Sequence, residues 1–344
     1  MGSDAEIVRA DHLTPAEVGE VLDLTRAAGD ADGAYPLSEH VMLHLRHGGD
    51  APAVHLLVRV GGALVGYAHV DTTDPVEGPS AELCVHPLHR RRGLGRALVL
   101  AAMAAADERD PAHRLRLWAH GDHPSANALA LSLGFDRARV LWQLRRSLLA
   151  PVPGVSEGAS QRSEERTERI AGSVTAAAEL PGGVILREFR PGKDDEAWLA
   201  LNAKAFAGHP DQGRWTRRDL EARMAEAWFD PAGFLLAERI EDGALLGFHW
   251  TKVHGAVRHD HAGGQQGTHD HDPIGEVYVL GVDPSAQGTG LGRALTLAGL
   301  RHLRDEGLHQ VMLYVEADNQ AATKLYQRLG FSRWATDVCF QRPA

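Results

Sequence analysis

The sequence contains little cysteine, no long apolar run and no excess of basic residues. Only Cys84 and Cys339 occur among its 344 residues, too few for a disulfide framework, so a reducing cytoplasm is the expected compartment. No apolar stretch approaches the ~20 residues that span a bilayer, and the first residues lack a signal-peptide pattern. The formal net charge of -10 disfavours nucleic acid, because phosphate binding needs a concentrated basic surface. We therefore expect a cytoplasmic monomer that binds small molecules, with neither nucleic acid nor membrane as a partner.

The chain divides into two similar halves separated by a polar stretch. Residues 149–183 are rich in Pro, Gly, Ser and charge, and such a segment cannot bury enough apolar surface to offset its ordering entropy. The motif at 85–87, Val-His-Pro, recurs as Val-Asp-Pro 197 residues later, and Leu-Gly-Phe at 133–135 recurs 196 residues later. This registration indicates an internal duplication. We predict an N-terminal domain over 1–150, a flexible linker over 151–183 and a C-terminal domain over 184–344.

Each half shows the same order of predicted elements. An amphipathic helix, at 15–28 or 194–207, precedes a hairpin of two strands, an apolar strand with a glycine-rich turn, a long Ala/Leu helix, another strand and a final helix and strand. The short turns Gly61-Gly62 and Asp242-Gly243 are typical of antiparallel hairpins. The pattern predicts an α+β fold made of two tandem copies, each a mixed, mostly antiparallel twisted sheet flanked by helices. The polar residues 255–273 are predicted to form a long hairpin loop.

The glycine-rich turns carry the clearest chemical signal. Residues 287–293 read QGTGLGR, and residues 90–96 of the first half read RRRGLGR. Glycine allows positive φ and close approach of the backbone to a ligand, and the first amides of a helix lack partners at the positive end of its dipole. Such a turn favours pyrophosphate binding, although a plain tight turn would use the same glycines. No Gly-Lys-Ser/Thr follows, and no Rossmann glycine pattern with a downstream acid is present, which argues against those nucleotide folds.

These motifs together resemble the GNAT acetyltransferase superfamily. The Gln/Arg-x-x-Gly-x-Gly pattern between Val-x-Pro and a helix is similar to its coenzyme A pyrophosphate motif, and residues 319–331 are similar to its last motif. Both halves carry the first motif, so the resemblance covers nearly the whole chain outside the linker. The phrases GEVYVLGVDP, FHWTKVH, LYVEADN and AGHPDQGRWT are similar to a tandem subgroup that acetylates the cysteinyl amine of Cys-GlcN-Ins, an aminosugar-inositol thiol. The resemblance implies acetyl-CoA as cosubstrate and no required metal.

The resemblance also implies that the C-terminal half is the catalyst. Members of the superfamily often use a glutamate on the strand before the turn as base and a tyrosine on the last helix as acid, and Glu276 and Tyr326 match those positions. In the first half, constant spacing matches them with Pro79 and Ala130, which cannot transfer a proton, and Glu82 matches a different position. The alternative is that Glu276 is a solvated strand-end carboxylate and Tyr326 a packing aromatic.

Acetyl-CoA contacts follow from the same resemblance. In the second half they are strand backbone, turn and last-helix residues: Leu280, Gly281, Val282, Gln287, Gly288, Thr289, Gly290, Leu291, Gly292, Arg293, Asn319, Gln320, Ala321, Ala322, Thr323 and Lys324. The first half could hold a second acetyl-CoA without turnover, at Leu83, Cys84, Val85, Arg91, Arg92, Gly93, Leu94, Gly95 and Arg96. Alternatively, these arginines form a solvated basic edge.

An ammonium and several hydroxyl groups on the substrate require polar partners. The candidates are Asp211, Lys252, Glu276 and Tyr314 in the second half, with Glu39 reaching across from the first. Lys252 could equally be a strand-end lysine in water. Cys84 is predicted to pack as a buried thiol and not to act as a nucleophile. The spacing of histidines 259, 261, 269 and 271 could suit zinc, but polar loops are often rich in histidine.

Two other functions remain open from the sequence. The chain could be a GNAT enzyme for another amine, such as a protein N-terminus or an aminoglycoside. It could also be a silent acetyl-CoA sensor, although Glu276 and Tyr326 argue against silence.

Overall fold

A computed structural model describes residues 5–48, 53–74, 77–150, 180–208, 212–255 and 273–343. Most of the predicted linker and hairpin loop, Asp211 and the four loop histidines lie outside the described residues. The chain forms two compact units. The N-terminal unit comprises Met1–Trp142, Glu316–Asp318 and Ala335–Ala344, and the C-terminal unit comprises Gln143–Val315 and Asn319–Trp334. In the described ranges, no helix is long and apolar enough to cross a membrane.

The N-terminal unit is a mostly antiparallel sheet with helices on both faces. Its strands follow the order β1-β2-β3-β4-β5-β12, and only β4 and β5 pair in parallel. The elements are β1 (Ala5–Ala10), α1 (Pro15–Asp32), α2 (Glu39–His47), β2 (Val54–Val60), β3 (Ala63–Asp71), β4 (Ser80–Val85), α3 (Leu94–Asp107), β5 (Arg116–Ala119), α4 (Pro124–Ser132) and, from residue 335 on, β12 (Ser332–Gln341).

The C-terminal unit repeats this plan. Its strands follow the order β7-β8-β9-β10-β11-β6, and the pair β10 and β11 is parallel. The elements are β6 (Asp136–Ser147, from residue 143 on), β7 (Val184–Glu188), α5 (Asp195–Ala205), α6 (Arg217–Met224), β8 (Phe234–Arg239), β9 (Leu245–His254), β10 (Ile274–Val282), α7 (Leu291–Asp305), β11 (Gln310–Glu316) and α8 (Gln320–Arg328).

The two units exchange their last strands. Strand β6 closes the first half of the sequence but lies beside β11, and β12 closes the second half but pairs with β5, from Val338 opposite Ala119 to Gln341 opposite Arg116. Each unit therefore contains residues from both halves of the sequence, and two contiguous halves do not describe the units.

Apolar periodicity explains the packing of each unit. In α7 the buried residues Leu291, Leu295, Leu300 and Leu303 recur at helical spacing, so one stripe of the helix covers the sheet. In the N-terminal unit α3 packs on one sheet face, and the cluster containing Val21, Val41 and Tyr67 covers the other with α1 and α2. The corresponding cluster of the C-terminal unit is unusually aromatic, with Trp198, Phe234, Phe248 and Trp250 fully buried.

Candidate active site

Strands β10 and β11 separate soon after they begin to pair. Their parallel register contains only Gly275 opposite Val311 and Glu276 opposite Met312, whereas β10 stays paired with β9 as far as Val282. Beyond Glu276, the β11-facing edge of β10 therefore has no partner strand among the described residues. Backbone amides and carbonyls must find partners when they leave water, so this edge, which includes the predicted contact segment 280–282, is suited to hydrogen bonding with an extended ligand.

A β-bulge in β10 shifts the alignment between the two halves. The register with β9 changes between Val277 and Val279, whereas β4 pairs with β3 without a shift. Gly247 opposite Val282 corresponds to Gly66 opposite Val85, and counting along β9 and β3 makes Lys252 the counterpart of Asp71. The counterpart of Glu276 is therefore Ser80. The prediction of Pro79 from constant spacing was wrong, because the bulge adds one residue to β10.

The C-terminal turn presents an uncapped helix start. Gly288 and Gly290 adopt φ of +78° and +89°, and Gly290 caps α7 without any side-chain hydrogen bond to the first helical amides. A Cβ added at either glycine would meet nothing within 4 Å. The first amides of α7 thus have no side-chain cap at the positive end of a 15-residue helix, which is the arrangement that binds anions.

The N-terminal turn has the same backbone with different side chains. Gly93 caps α3 at φ +82°, and Arg91 takes φ +64° where the second turn has Gly288. Arg90 donates to the Val85 carbonyl at 3.0 Å and pairs with both carboxylate oxygens of Asp32 at 2.6 and 2.8 Å. Arg96 donates to the Ser132 hydroxyl at 2.7 Å. Arg90 and Arg96 therefore make structural contacts, while the side chains of Arg91 and Arg92 are exposed.

Glu276 is a buried carboxylate with an imidazole partner. It is 6% exposed, and its Oε2 lies 2.6 Å from Nε2 of His254 on the neighbouring strand. The His254 side chain is 35% exposed, so it links the buried acid to the surface. The alternative of a solvated strand-end carboxylate is therefore wrong.

Lys252 lies directly opposite Glu276 in the sheet and is also buried. It is 8% exposed, and its Nζ lies 4.8 Å from the ring centre of Trp228 and 5.3 Å from that of Tyr278. Aromatic faces attract an ammonium through their quadrupoles, so these rings hold the lysine within the unit. The alternative of a strand-end lysine in water is wrong.

The sequence reasoning missed the residues around this pair. His254, Trp228 and Tyr278 were not assigned a role, nor was Arg223, whose Nε donates to the Tyr278 hydroxyl at 2.7 Å. One signal was present: in FHWTKVH, alternate residues share a face of the strand, so Lys252 and His254 face the same side as Glu276. Nothing local places Trp228, which follows α6, beside β9 and β10.

Tyr326 lies on α8 and is 7% exposed, with its ring 5.6 Å from that of Phe331. It therefore packs as an aromatic, and burial raises the pKa of its phenol to about 12. The phenol stays protonated at neutral pH and can act only as a proton donor there.

The remaining predicted residues take more varied positions. Asn319 caps α8 by accepting from the Ala322 amide at 3.1 Å, Lys324 is exposed, and the Tyr314 hydroxyl accepts from Nε2 of Gln143 at 2.7 Å. Glu39 begins α2 in the N-terminal unit. Cys84 is buried in the α1/α2-side cluster, and burial raises the pKa of its thiol to about 12, which confirms the prediction of a packing thiol.

Comparison with known proteins agrees with this architecture. The family model described as the acetyltransferase (GNAT) family matches residues 22–135 and again 196–331. A mycothiol acetyltransferase from Salinispora arenicola is 55% identical over 340 residues, covering 98% of this chain and 97% of that protein. One from Acidothermus cellulolyticus is 54% identical over 333 residues, covering 96% and 92%. A tandem GNAT protein from the clavulanic acid biosynthesis pathway shares the fold, with a TM-score of 0.69, 22% identity and 98% of both chains covered. The chain therefore belongs to the acetyltransferase (GNAT) family, as a tandem member that groups with the mycothiol acetyltransferases.

Proposed function

We propose that this enzyme transfers the acetyl group of acetyl-CoA to the cysteinyl amine of Cys-GlcN-Ins, forming mycothiol. The observation that carries the proposal is the buried Glu276–His254 pair beside Lys252, placed where β10 and β11 separate. The names of the relatives at about half identity support the substrate.

Acetyl-CoA binds along the open edge of β10 and at the start of α7. The diphosphate accepts hydrogen bonds from the amides of 288–293, and the pantetheine follows the backbone of 280–282. This brings the thioester toward the beginning of the gap, near Glu276. An amide at this edge donates to the thioester oxygen and stabilises the charge that develops on it.

Glu276 takes the proton that blocks the amine. An α-amino group has a pKa of ~8, so most of the substrate is an ammonium at neutral pH. Glu276 removes this proton directly or through His254, whose imidazole reaches the surface. The freed nitrogen lone pair attacks the thioester carbon, and the tetrahedral intermediate collapses by breaking the carbon–sulfur bond. Tyr326 gives its proton to the leaving thiolate, and the second proton that the attached nitrogen must lose to become an amide returns to the phenolate.

Lys252 and its aromatic neighbours form the wall beside the base. We propose that Lys252 donates hydrogen bonds to substrate hydroxyl groups, because the rings of Trp228 and Tyr278 restrict its ammonium to one region. Asp211, Glu39 and Tyr314 remain proposed substrate contacts.

The substrate is tested by following loss of amine, since a thiol assay would also detect the substrate's own thiol. We expect turnover of Cys-GlcN-Ins and little of a peptide N-terminus or an aminoglycoside. Good turnover of another amine without turnover of Cys-GlcN-Ins would overturn the substrate assignment. No turnover of any amine, with intact coenzyme A binding, would favour the sensor.

The base is tested with Glu276→Gln, which keeps the shape of the side chain. We expect kcat/KM to fall by about 10²–10⁴-fold at pH 7 and by much less near pH 10, where the amine is already free. Glu241→Gln, an exposed glutamate of the same unit, is the control and should change little. An equal loss at both pH values would show that Glu276 binds substrate and does not act as base.

We also propose that the N-terminal turn binds a second acetyl-CoA without turnover, since its backbone matches that of the C-terminal turn. Equilibrium dialysis should give two molecules per chain. Arg91→Ala combined with Arg92→Ala should reduce this to one while leaving kcat unchanged. A single molecule bound by the unmodified protein would favour a solvated basic edge.

A further inference from the structure

Three histidines converge inside the N-terminal unit. His55 on β2 and His69 on β3 are cross-strand partners, so their side chains lie on the same face of the sheet. His44 reaches them from α2, and its ring centre is 4.9 Å from that of His69. One nitrogen from each of the three lies within 4.8 Å of the other two.

Among the residues that the structure describes, none forms a hydrogen bond with the buried ring of His69. It is 2% exposed, and neither of its ring nitrogens makes a hydrogen bond within the described part of the chain. Buried polar groups are almost always satisfied, and an exception commonly indicates an ion or a water. The described surroundings of His69 therefore leave both ring nitrogens without a hydrogen bond.

His55, unlike His69, has a hydrogen-bond partner. It is 4% exposed, and its Nδ1 lies 2.7 Å from the Tyr67 hydroxyl. With Nδ1–H donating to that oxygen, Nε2 keeps its lone pair and can coordinate. Metal-bound histidines typically donate their second N–H to an oxygen in this way.

Burial disfavours the charged form of both rings. Burial, with a smaller contribution from His44, lowers the pKa of His55 to about 4 and that of His69 to about 3. Neutral imidazole is the form that ligates metals.

We propose that His44, His55 and His69 bind a Zn²⁺ ion in the N-terminal unit, with water as the fourth ligand. Imidazole ligands suit zinc, and zinc–nitrogen distances of ~2.0–2.1 Å place tetrahedral neighbours about 3.4 Å apart. The cluster must contract by at most about 1.4 Å to reach that geometry. Half-buried His44 can supply this movement, because the other two rings stand on paired strands.

Two carboxylates lie near the three histidines. The carboxylates of Asp71 and Glu82 lie close enough to act electrostatically on His69. Each already has a histidine beside it: His40 lies 3.3 Å from Asp71, and His120 lies 3.5 Å from Glu82. The ion would fasten α2 to the sheet, a structural role that leaves the acetyl transfer chemistry metal-free.

The test uses the full chain without an affinity tag, stripped with a chelator, dialysed and titrated with Zn²⁺ alone. We expect one tightly bound zinc per chain by elemental analysis and a higher melting temperature with zinc. Co²⁺ in its place should give the visible absorption of a tetrahedral site. His69→Gln and His44→Gln should each lose the zinc and the thermal shift. If His69→Gln does not fold, His44→Gln still decides the matter, because His44 is only half-buried.

Two controls separate this site from other histidines. His113→Gln replaces an exposed histidine of the same unit, paired with Asp107, and should keep the zinc. A variant with glutamine at 259, 261, 269 and 271 should keep it as well. Absence of tight zinc binding, retention of zinc by His44→Gln, or its loss from the four-histidine variant would each overturn the proposal.

Discussion

At the scale of single residues, the proposed chemistry depends on groups that the fold removes from water. Glu276 and Lys252 face each other across two strands, and both are more than nine-tenths buried. A buried carboxylate or ammonium is costly unless it is paired. His254 is the partner of Glu276, and the rings of Trp228 and Tyr278 are the partners of Lys252.

Tyr326→Phe isolates the proposed proton donor. The ring still packs against Phe331, so the thermal stability should hold, while kcat should fall about 10²-fold. Because burial raises the pKa of Tyr326 to about 12, the wild-type enzyme should show no loss of activity from phenol ionisation between pH 7 and 10. A Phe variant with unchanged kcat would remove Tyr326 from the mechanism.

His120 provides a pH-dependent contribution to stability. It lies between Asp337 at 3.1 Å and Glu82 at 3.5 Å. Burial alone would lower its pKa, but hydrogen bonds to the two carboxylates raise the pKa of His120 to about 10. The folded-state pKa thus exceeds the unfolded value of ~6.5. The stabilisation is complete below pH 6.5 and is lost as the pH rises toward 10.

Urea unfolding at pH 6 and pH 9.5 should therefore show a loss of stability at the higher pH. In His120→Gln this difference should shrink, because the titrating group is gone. An identical pH dependence in the variant would contradict the role given to His120.

At the scale of elements, the glycine turns show where backbone conformation decides the residue. Gly290 has φ +89° with open space around its Cβ position, whereas a Cβ on Gly292 would make ordinary contact with Val282 at 3.6 Å. A substitution at Gly290 thus tests backbone strain alone, and one at Gly292 tests the space for a side chain.

Gly290→Ala should destabilise the C-terminal unit by about 1–2 kcal/mol, because an L-residue resists the left-handed region. Gly292→Ala should leave stability equal or raise it by up to ~1 kcal/mol, since alanine favours the helix. Thermal unfolding of the two variants checks this. Equal stabilities would show that the turn relaxes to another conformation.

The β-bulge is a second element that the sequence did not reveal. It adds one residue to β10 beside Glu276, and bulges often occur next to active sites, where they redirect side chains. The first half pairs β4 with β5 as far as Glu82 opposite Trp118, and the second half ends the equivalent pairing at Glu276. The opening in the C-terminal unit therefore begins earlier along its strand.

At the scale of the whole molecule, the exchange of strands makes each half dependent on the other. The N-terminal unit includes β12 from residue 335 on, residues 338–341 of it pair with β5, and Asp337 binds His120 and the Gly121 amide. A fragment of residues 1–150 lacks all of these contacts.

Residues 1–150 expressed alone should therefore unfold without a cooperative transition or at a much lower midpoint than the full chain. Mixing with a fragment of residues 151–344 should restore a cooperative transition, measured by circular dichroism. An isolated fragment with the midpoint of the full chain would show that β12 is dispensable to the N-terminal unit.

The sequence by itself determined the duplicated α+β fold and the two glycine turns at helix starts, and its family resemblance singled out Glu276 and Tyr326. These features depend on local spacing, glycine conformation and apolar periodicity, which act over a few residues. Only the tertiary structure decided that Glu276 and Lys252 are buried, that His254 is the carboxylate's partner and that three histidines converge in the N-terminal unit. It also decided which sheet each last strand completes. Burial, cross-strand register and strand exchange arise from contacts between residues far apart in the chain, and local patterns do not encode them.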